Sequence, residues 1–345
     1  MKVLILGGKK FLGIALVEAL LKAGDTPVLF NRGRTNPDLF PKVTNLIGDR
    51  DGDLEALKRR KWDVVIDTSG FVPRIVKQSA QMLSGKCETY VFISSVAVYQ
   101  DYRMPDIAEN YPLAQLDDPA NEDYSGDAFG PLKALCEYEI QQAFDGPVLV
   151  IRPGMIVGPH DPSDRFTYWP WRVSLGGQVL APSPPSANLQ FIDVRDLAEF
   201  IINRIKAKSE GVYNVTGPRK PATFGSLLVA CRESALSDAN FIWVDESFLL
   251  NQGVLPWSDL PLWVPSTDPA YAGFYNININ KALKDGLNFR PLSQTVSDTL
   301  EWFRTKPGPK TLKAGMDIAT ETELLLKYQK EVSTRNTRSS YLDQE

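Results

Sequence analysis

Histidine and cysteine are scarce in this 345-residue chain, which has one histidine and three cysteines. A zinc site built on several imidazoles is therefore excluded within a single chain. The cysteines are Cys87, Cys136 and Cys231, which lie far apart and show no CxxC spacing. We expect buried, reduced thiols and no metal centre.

Long apolar runs and a strong net charge are also missing. No stretch approaches the length of a membrane span, and the apolar run in the opening residues MKVLILGG is too short for a secretory leader. The formal net charge of −4 gives no global attraction to nucleic acid or to an anionic membrane. We therefore expect a cytoplasmic protein that acts on a small-molecule substrate, without a nucleic-acid partner or a membrane contact.

The apolar residues that are present form short continuous runs separated by helical segments. Hydrophobic residues make up 43% of the chain, which is typical of a globular protein. Continuous runs, unlike alternating ones, indicate strands that are covered on both faces of a parallel sheet. The sequence therefore predicts an α/β protein with a doubly wound parallel sheet. The runs are Lys2–Leu6, Pro27–Phe30, Asn45–Ile47, Asp63–Asp67, Tyr90–Ile93 and Val148–Ile151. A further strand is expected at Gly211–Val215.

The pattern changes after Pro159, where periodicity fades and aromatic residues and prolines accumulate. We expect a dinucleotide-binding domain over residues 1–158 and a smaller, mixed substrate-binding region over residues 159–310. Within that region, residues 191–217 are expected to return to the sheet of the first domain. A C-terminal helix and tail are expected over residues 311–345.

A glycine-rich turn follows the first strand and opens a helix. Gly7 permits a tight turn, and Gly13 lets the helix pack close to the strand. The helix N-terminus then offers free N–H groups and positive partial charge to a pyrophosphate. Lys10 stands where a middle glycine is expected. The residues predicted to hold the cofactor here are Gly7, Gly8, Lys9, Lys10, Phe11, Leu12 and Gly13.

The ends of the next strands predict the rest of the cofactor site. The second strand ends in Asn31, Arg32, Gly33 and Arg34, without the carboxylate that an NAD site usually offers. Arginines favour a 2′-phosphate, so NADP is predicted in preference to NAD. Carboxyl ends of parallel strands bind ligands in such folds. We therefore also expect contacts from residues that follow the third and fourth strands, namely Asp49, Arg50, Thr68, Ser69 and Gly70.

Four motifs together resemble one family. They are the glycine turn, Ser94–Tyr99 (SSVAVY), Arg152–Pro159 (RPGMIVGP) and Phe191–Ala198 (FIDVRDLA). In this order they resemble the short-chain dehydrogenase/reductase superfamily, in its extended branch, the NAD-dependent epimerase/dehydratase family. The turn and the Asn31-Arg32-Gly33 segment are most similar to atypical members, which include chloroplast stem-loop-binding proteins. The resemblance implies a Rossmann fold and covers residues 1–217, while the last 130 residues carry no such motif.

The resemblance implies catalytic roles for three positions. In this family a serine or threonine, a tyrosine, and a lysine four residues beyond the tyrosine carry the chemistry. Ser95 matches the first and Lys133 the third, but Phe129 stands at the tyrosine position. Ser94, Lys133 and Pro153 are expected to contact the cofactor.

Phenylalanine at position 129 removes the hydroxyl that would exchange a proton with a substrate alcohol. Loss of a general base typically costs about 10²–10⁴-fold in rate. Three interpretations stay open: a deliberately altered chain, a natural member that uses another acid or base, or a protein that binds the cofactor without redox chemistry. Tyr124 is a candidate replacement, or it is a packing residue. Lys133 and Glu137 could also form a plain surface ion pair.

The loop after Pro159 is expected to face the nicotinamide end of the cofactor. Aromatic rings beside arginines suit a sugar nucleotide or another anionic substrate with a ring, and they suit a hydrophobic core equally well. We expect substrate contacts from Ser95, Tyr124, Arg165, Tyr168, Trp169 and Arg172.

The predicted function is an NAD(P)-dependent oxidoreductase or epimerase/dehydratase that acts on a small hydroxyl or carbonyl compound. The alternative is a non-catalytic NADP-binding regulator or an RNA-binding relative of the stem-loop-binding proteins. Dimerisation through two long helices is common in the family, so a homodimer is the expected assembly.

Overall fold

The computed structural model describes residues 1–118 and 120–342, with side chains up to Arg335. The strands are β1 Lys2–Leu6, β2 Thr26–Asn31, β3 Thr44–Ile47, β4 Val64–Asp67, β5 Thr89–Ile93, β6 Val148–Pro153, β7 Met155–Val157, β8 Gln178–Pro182, β9 Asn188–Leu189, β10 Phe191–Asp193, β11 Gly211–Val215, β12 Ala222–Thr223 and β13 Asn240–Val244. The helices are α1 Leu12–Lys22, α2 Pro73–Leu83, α3 Phe129–Ala143, α4 Tyr168–Ser174, α5 Val194–Lys206, α6 Phe224–Ala235, α7 Glu246–Asn251, α8 Asn280–Lys284, α9 Leu292–Thr305 and α10 Ile318–Leu342.

Two compact units make up the chain. The first contains residues 1–156, 190–220 and 272–290, and the second contains residues 157–189, 221–271 and 291–345. The first unit is therefore assembled from three separate pieces of the chain.

The first unit is built on a seven-stranded sheet with the order β11-β6-β5-β4-β1-β2-β3, and all of its strand pairs are parallel. Successive side chains of β1 point to opposite faces of this sheet. Val3 and Ile5 pack with residues of α1 and α5, whereas Leu4 and Leu6 pack with residues of α2 and α3. Both faces are covered, which explains why the strands are continuous apolar runs. The predicted doubly wound sheet is confirmed.

Strand order places the switch point of the sheet between β1 and β4. The chain runs from β1 to β2 and β3 on one side, and from β4 to β5, β6 and β11 on the other. In open α/β sheets ligands bind at the carboxyl ends of the strands at such a point. The glycine turn follows β1 and Thr68 follows β4, so both lie at this position.

The second unit has helices and short two-stranded sheets. β8 pairs with β13 in parallel, and β9 pairs with β12 in antiparallel. Helix α6 packs against α4 and α9, and its Thr223 side chain caps it by accepting from the Ser226 amide. A smaller C-terminal region is therefore present as expected, but residues 272–290, which were predicted to be part of it, belong to the first unit.

Candidate functional site

The glycine turn is shaped by contacts that exclude any side chain. Gly7 and Gly8 have φ values of +113° and +94°, in the region that favours glycine. A Cβ atom at Gly7 would lie 2.5 Å from Thr68 Oγ1, and one at Gly13 would lie 2.6 Å from Gly8 Cα. The start of α1 therefore touches the turn through bare backbone, and the Thr68 hydroxyl after β4 lies directly against Gly7. Such a cradle fits a diphosphate that must approach the main chain closely.

The residue that carries the strain of this turn is Phe11 and not Lys10. Phe11 has φ 42° and ψ −111°, which is costly for a residue with a Cβ, about 1–3 kcal/mol. Lys10, which replaces the expected middle glycine, is exposed and has no positive φ. Leu12 is the first, buried residue of α1, and no side chain caps this helix. An uncapped helix N-terminus next to a glycine cradle suits an anion.

The segment after β4 is bonded directly to β1. Thr68 Oγ1 and Ser69 Oγ donate to the Leu6 carbonyl oxygen at 2.8 and 3.1 Å. Gly70 approaches the Phe92 ring so closely that a Cβ atom there would lie 2.6 Å from it. Thr68 and Ser69 thus lie beside Gly7, and Gly70 lies against the Phe92 ring.

Arg50 lies at the same edge of the sheet but points inward. Its guanidinium forms two hydrogen bonds of 2.7 Å with the two carboxylate oxygens of Asp67, and only 11% of its side chain is exposed. Burial lowers the pKa of Arg50, but the charge of Asp67, its hydrogen bonds to Arg50 and the nearby Tyr90 and Cys136 together outweigh this effect and leave the pKa raised. The side chain of Arg50 is therefore occupied by a protein partner. Asp49, next to it, forms a backbone bridge with Asp53 and keeps its carboxylate in solvent.

The end of β2 combines one anchored amide with exposed cations. Asn31 Nδ2 donates to the Gly7 carbonyl oxygen at 3.2 Å and to Asn45 Oδ1 at 2.8 Å. Arg32 and Arg34 are exposed, and the Arg32 guanidinium lies 4.0 Å from the Asp49 carboxylate. Lys9 is different, because it is buried and its Nζ donates to the Pro37 carbonyl oxygen at 2.6 Å.

The two serines after β5 have different environments. Ser95 Oγ accepts from the Ala97 amide at 3.1 Å and caps the short 3₁₀ turn Val96–Val98. Ser94 is buried, and in the described part of the chain its Oγ has no hydrogen-bond partner. Helix α3 approaches this turn closely at Gly130. A Cβ atom at Gly130 would lie only 2.0 Å from the Ala97 carbonyl oxygen. Gly130 thus allows α3 to lie against the 3₁₀ turn that follows the two serines.

Lys133 projects from α3 into the interior. Its Nζ donates to the carbonyl oxygens of Gly70 and Ile93 at 2.8 and 2.5 Å. The ammonium also lies over the rings of Phe92 and Phe71, at 4.3 and 5.0 Å from their centroids. Burial lowers the pKa of Lys133 to about 8.

The ion pair that Lys133 and Glu137 could have formed is absent from the structure. Glu137 instead forms a buried, two-bond pair with Arg152, at 2.7 and 3.0 Å. This alternative interpretation of Lys133 is therefore wrong, because α3 turns Glu137 towards β6. Pro153 follows Arg152 and closes β6 as a buried residue.

Phe129 and Tyr124 both lie beside the ring of Phe71, which is not among the predicted site residues. Tyr124 stacks on Phe71 with centroids 5.0 Å apart, and Phe129 lies 6.4 Å from the same ring. Tyr124 remains half exposed. The structure therefore brings Lys133, Phe129 and Tyr124 together around Phe71. The signal that could have identified Phe71 is its place directly after Gly70 at the end of β4.

The aromatic and arginine residues after Pro159 are engaged within the second unit. Trp169 is fully buried and its Nε1 donates to the Pro261 carbonyl oxygen at 2.7 Å. Arg172 pairs with Glu321 and also donates to two backbone carbonyl oxygens. Tyr168 is buried, and Arg165 lies over the ring of Trp257 at 5.4 Å. These contacts support the packing of α4 and α10 inside this unit.

Two classes of feature are not found in the described residues. No cluster of three or more His, Cys, Asp or Glu side chains there is arranged to hold a metal ion. None of the described helices combines the length and the apolar character that crossing a bilayer requires.

The fold defines an α/β protein with a doubly wound parallel sheet, and comparison with known proteins gives its family. A profile of the NAD dependent epimerase/dehydratase family matches residues 3–216. The chain belongs to this family, which confirms the resemblance seen in the sequence.

Three known proteins are similar to this chain at sequence identities between 16% and 28%. A curated protein of Arabidopsis thaliana, the chloroplast stem-loop binding protein of 41 kDa b, is 28% identical over 254 residues. That match covers 68% of this chain and 63% of the relative, so the chain spans less than two thirds of the relative's length. The Bordetella bronchiseptica enzyme WbmH, solved with NAD+, has a TM-score of 0.63 at 16% identity, and the match covers 88% of this chain and 98% of the other. The UDP-glucuronic acid 4-epimerase of Bacillus cereus, solved with NAD, has a TM-score of 0.62 at 16% identity, covering 88% and 96%.

Proposed function

We propose that this protein binds a pyridine dinucleotide at the glycine turn and is a member of its family with impaired redox chemistry. The observation that carries this proposal is the close packing of three glycines at the switch point of the sheet: Gly7 lies against Thr68, Gly8 against Leu29, and Gly13 against the Gly8 backbone. No residue larger than glycine could occupy these positions, and the resulting cradle suits a diphosphate. A bound nicotinamide ring would supply hydride acceptance or donation; the protein residues supply binding and proton exchange.

The residues around Phe71 support impaired proton exchange. With Phe129 in place of the tyrosine, the side chain at the start of α3 has no proton to give or accept. Lys133 donates to two backbone carbonyl oxygens, so its ammonium stabilises the ends of β4 and β5. We propose Ser95 as the remaining hydroxyl that a substrate alcohol or carbonyl oxygen would contact.

The preference for NADP over NAD is part of the proposal. At the end of β2 the chain has Asn31 where an NAD site would have a carboxylate. Lys10, Arg32 and Arg34 are exposed and carry the charge that a 2′-phosphate would need. Relatives named above are described with NAD, so the comparison of the two cofactors is a direct test of this part.

Binding is tested by calorimetric titration with NADPH and with NADH. We expect binding of both, with tighter binding of NADPH, and we expect Arg32→Ala to reduce that difference. Gly13→Val should abolish binding because its side chain would meet the Gly8 backbone. A matched control is Ala143→Val, at the far end of α3. If the unmodified protein binds neither NADPH nor NADH, the proposal is refuted.

Impaired chemistry is tested by restoring the missing hydroxyl. Phe129→Tyr is expected to raise NADPH turnover on carbonyl compounds, sugar nucleotides included, by about 10²-fold or more. Phe129→Leu is the control, since it changes the packing without adding a proton donor. If Phe129→Tyr binds the cofactor and gains nothing on any substrate, the redox interpretation fails.

The stem-loop-binding relative supports a second candidate function, the binding of RNA. The exposed run Lys58-Arg59-Arg60-Lys61 could contact phosphates, although the net charge of −4 opposes it. A gel shift with a stem-loop RNA at increasing salt decides between the functions. Salt-sensitive binding that charge reversal at these four residues removes would favour RNA.

A further inference from the structure

A buried polar network lies below the glycine turn and connects five elements of the first unit. Its centre is Asp67, the last residue of β4, which is fully buried. Asp67 accepts two hydrogen bonds of 2.7 Å from Arg50, which follows β3, and one of 2.8 Å from the hydroxyl of Tyr90 in β5. Arg50 Nε in turn donates to Ser79 Oγ of α2 at 3.2 Å.

The network continues upward into the wall of the proposed cofactor site. The Ser69 amide donates to Asp67 Oδ1 at 3.0 Å, and Arg50 Nη1 donates to Ser69 Oγ at 3.3 Å. Ser69 Oγ and Thr68 Oγ1 then donate to the Leu6 carbonyl oxygen. Thr68 Oγ1 is the atom closest to the position of a Cβ at Gly7. A continuous chain of hydrogen bonds and contacts therefore runs from Arg50 to the glycine turn.

We propose that Arg50 is a positioning residue that, through Asp67 and Ser69, fixes the segment 67–70 against Gly7 and so holds the turn in the shape that a dinucleotide requires. This inference rests on the proposed function. It differs from the sequence prediction, in which Arg50 contacts the cofactor itself. Four of the five guanidinium N–H groups of Arg50 already donate to Asp67, Ser69 and Ser79, so the bidentate grip that arginine uses on a phosphate is taken by the protein itself.

The choice of an ion pair at this place is itself informative. Burying two charges is expensive, and a buried ion pair can often be replaced by apolar residues of similar volume without loss of stability. Stability alone therefore does not require Arg50 and Asp67. Directed bonds to Ser69 do require them, because only a planar guanidinium can bond both carboxylate oxygens and reach a further hydroxyl.

The test separates positioning from stability with the double variant Arg50→Met/Asp67→Leu. Both the double variant and its reference protein carry Tyr90→Phe, because the buried Tyr90 hydroxyl would otherwise lose its acceptor. On this background the apolar pair should keep the thermal midpoint near that of the reference. Amide exchange of Gly7 and Thr68, measured without ligand, should become at least about tenfold faster, while amides in α5 keep their protection. The dissociation constant for NADPH should rise by about tenfold or more. Ser79→Ala is the matched control, because it removes a bond of Arg50 on the side away from the turn and should change neither quantity by more than about twofold.

Each outcome decides one question. If the double variant is folded and keeps both normal exchange at Gly7 and an NADPH affinity within about twofold, the inference is overturned and the proposed function stands. If the unmodified protein binds no dinucleotide, the proposed function fails, and the exchange data still decide whether Arg50 positions the turn. Should the double variant not fold, Arg50→Lys replaces it: faster exchange at Gly7 supports positioning, and unchanged exchange overturns it.

Discussion

Lys133 makes a sharp prediction about how stability depends on pH. Burial lowers its pKa from the ordinary value of 10.5 to about 8, so the folded state holds the proton less tightly than the unfolded state. Below pH 8 both states are protonated and the folded state bears the full cost of a buried ammonium. As pH rises from about 8 through 10.5, the proton is lost and that cost disappears. The free energy of unfolding should therefore rise over this window relative to a variant without the lysine.

The magnitude follows from the two pKa values. A tenfold change in proton affinity corresponds to about 1.4 kcal/mol, so a fall from 10.5 to about 8 corresponds to about 3 kcal/mol. Lys133→Met removes the titrating group and also the bonds to the carbonyl oxygens of Gly70 and Ile93. The lost bonds give a constant offset, and only the change with pH reports the buried charge.

The assay is urea unfolding of the unmodified protein and of Lys133→Met at several pH values from 7 to 10.5. The difference between their unfolding free energies should shift by about 3 kcal/mol in favour of the unmodified protein. Lys42→Met, at an exposed lysine, is the control and should show a flat difference. A difference that is also flat for Lys133→Met, or that falls with pH, would refute the reasoning.

Three further predictions concern the groups around the site and the loop that begins the second unit. Glu137→Ala should lower the unfolding free energy by about 3–5 kcal/mol in urea titrations, because it leaves the buried Arg152 without its carboxylate partner. The control Glu139→Ala, in the more exposed pair with Lys77, should cost no more than about 1 kcal/mol. Equal losses in the two variants would contradict this prediction. Gly130→Ala should destabilise by about 1–3 kcal/mol because its Cβ meets the Ala97 carbonyl oxygen, and calorimetry that finds it neutral would show that α3 can move away. Burial raises the pKa of Asp161 above its usual range, so at neutral pH the folded state bears the cost of a buried carboxylate charge, which vanishes on acidification. Asp161→Asn should therefore raise the thermal midpoint at pH 7 and lose this advantage near pH 4. An equal gain at both pH values would exclude titration as the cause.

The sheet could be predicted from sequence because burial on both faces leaves a direct pattern. All seven of its strands overlap predicted strands, six of which were predicted from continuous apolar runs, and Lys2–Leu6 and Gly211–Val215 have the predicted bounds. The glycine turn could also be predicted from the sequence, since local geometry requires glycine at Gly7 and Gly13. The C-terminal helix expected within residues 311–345 runs from Ile318 to Leu342, and its end could not be placed from sequence because a polar helix end lacks a strong stop signal.

The partners of charged and aromatic side chains could not be predicted in the same way. Arg50 bonds a residue 17 positions away, and Arg172 pairs with Glu321 at a separation of 149. Such pairs depend on which strand ends and helices become neighbours, and no local pattern encodes this. Trp169 has the composition expected of either a ligand platform or a core, and only tertiary packing separates the two.

The assembly of the first unit from three pieces has a consequence for synthesis on the ribosome. Strand β6 pairs with β5 on one side and with β11 on the other, and β11 lies nearly sixty residues further along the chain. Until those residues emerge, the nascent sheet ends in an apolar strand with unpaired N–H and C=O groups, a template for pairing with other chains. At a synthesis rate of about 5–20 residues per second, this bare edge persists for several seconds. Chaperone demand during translation should therefore peak in that interval.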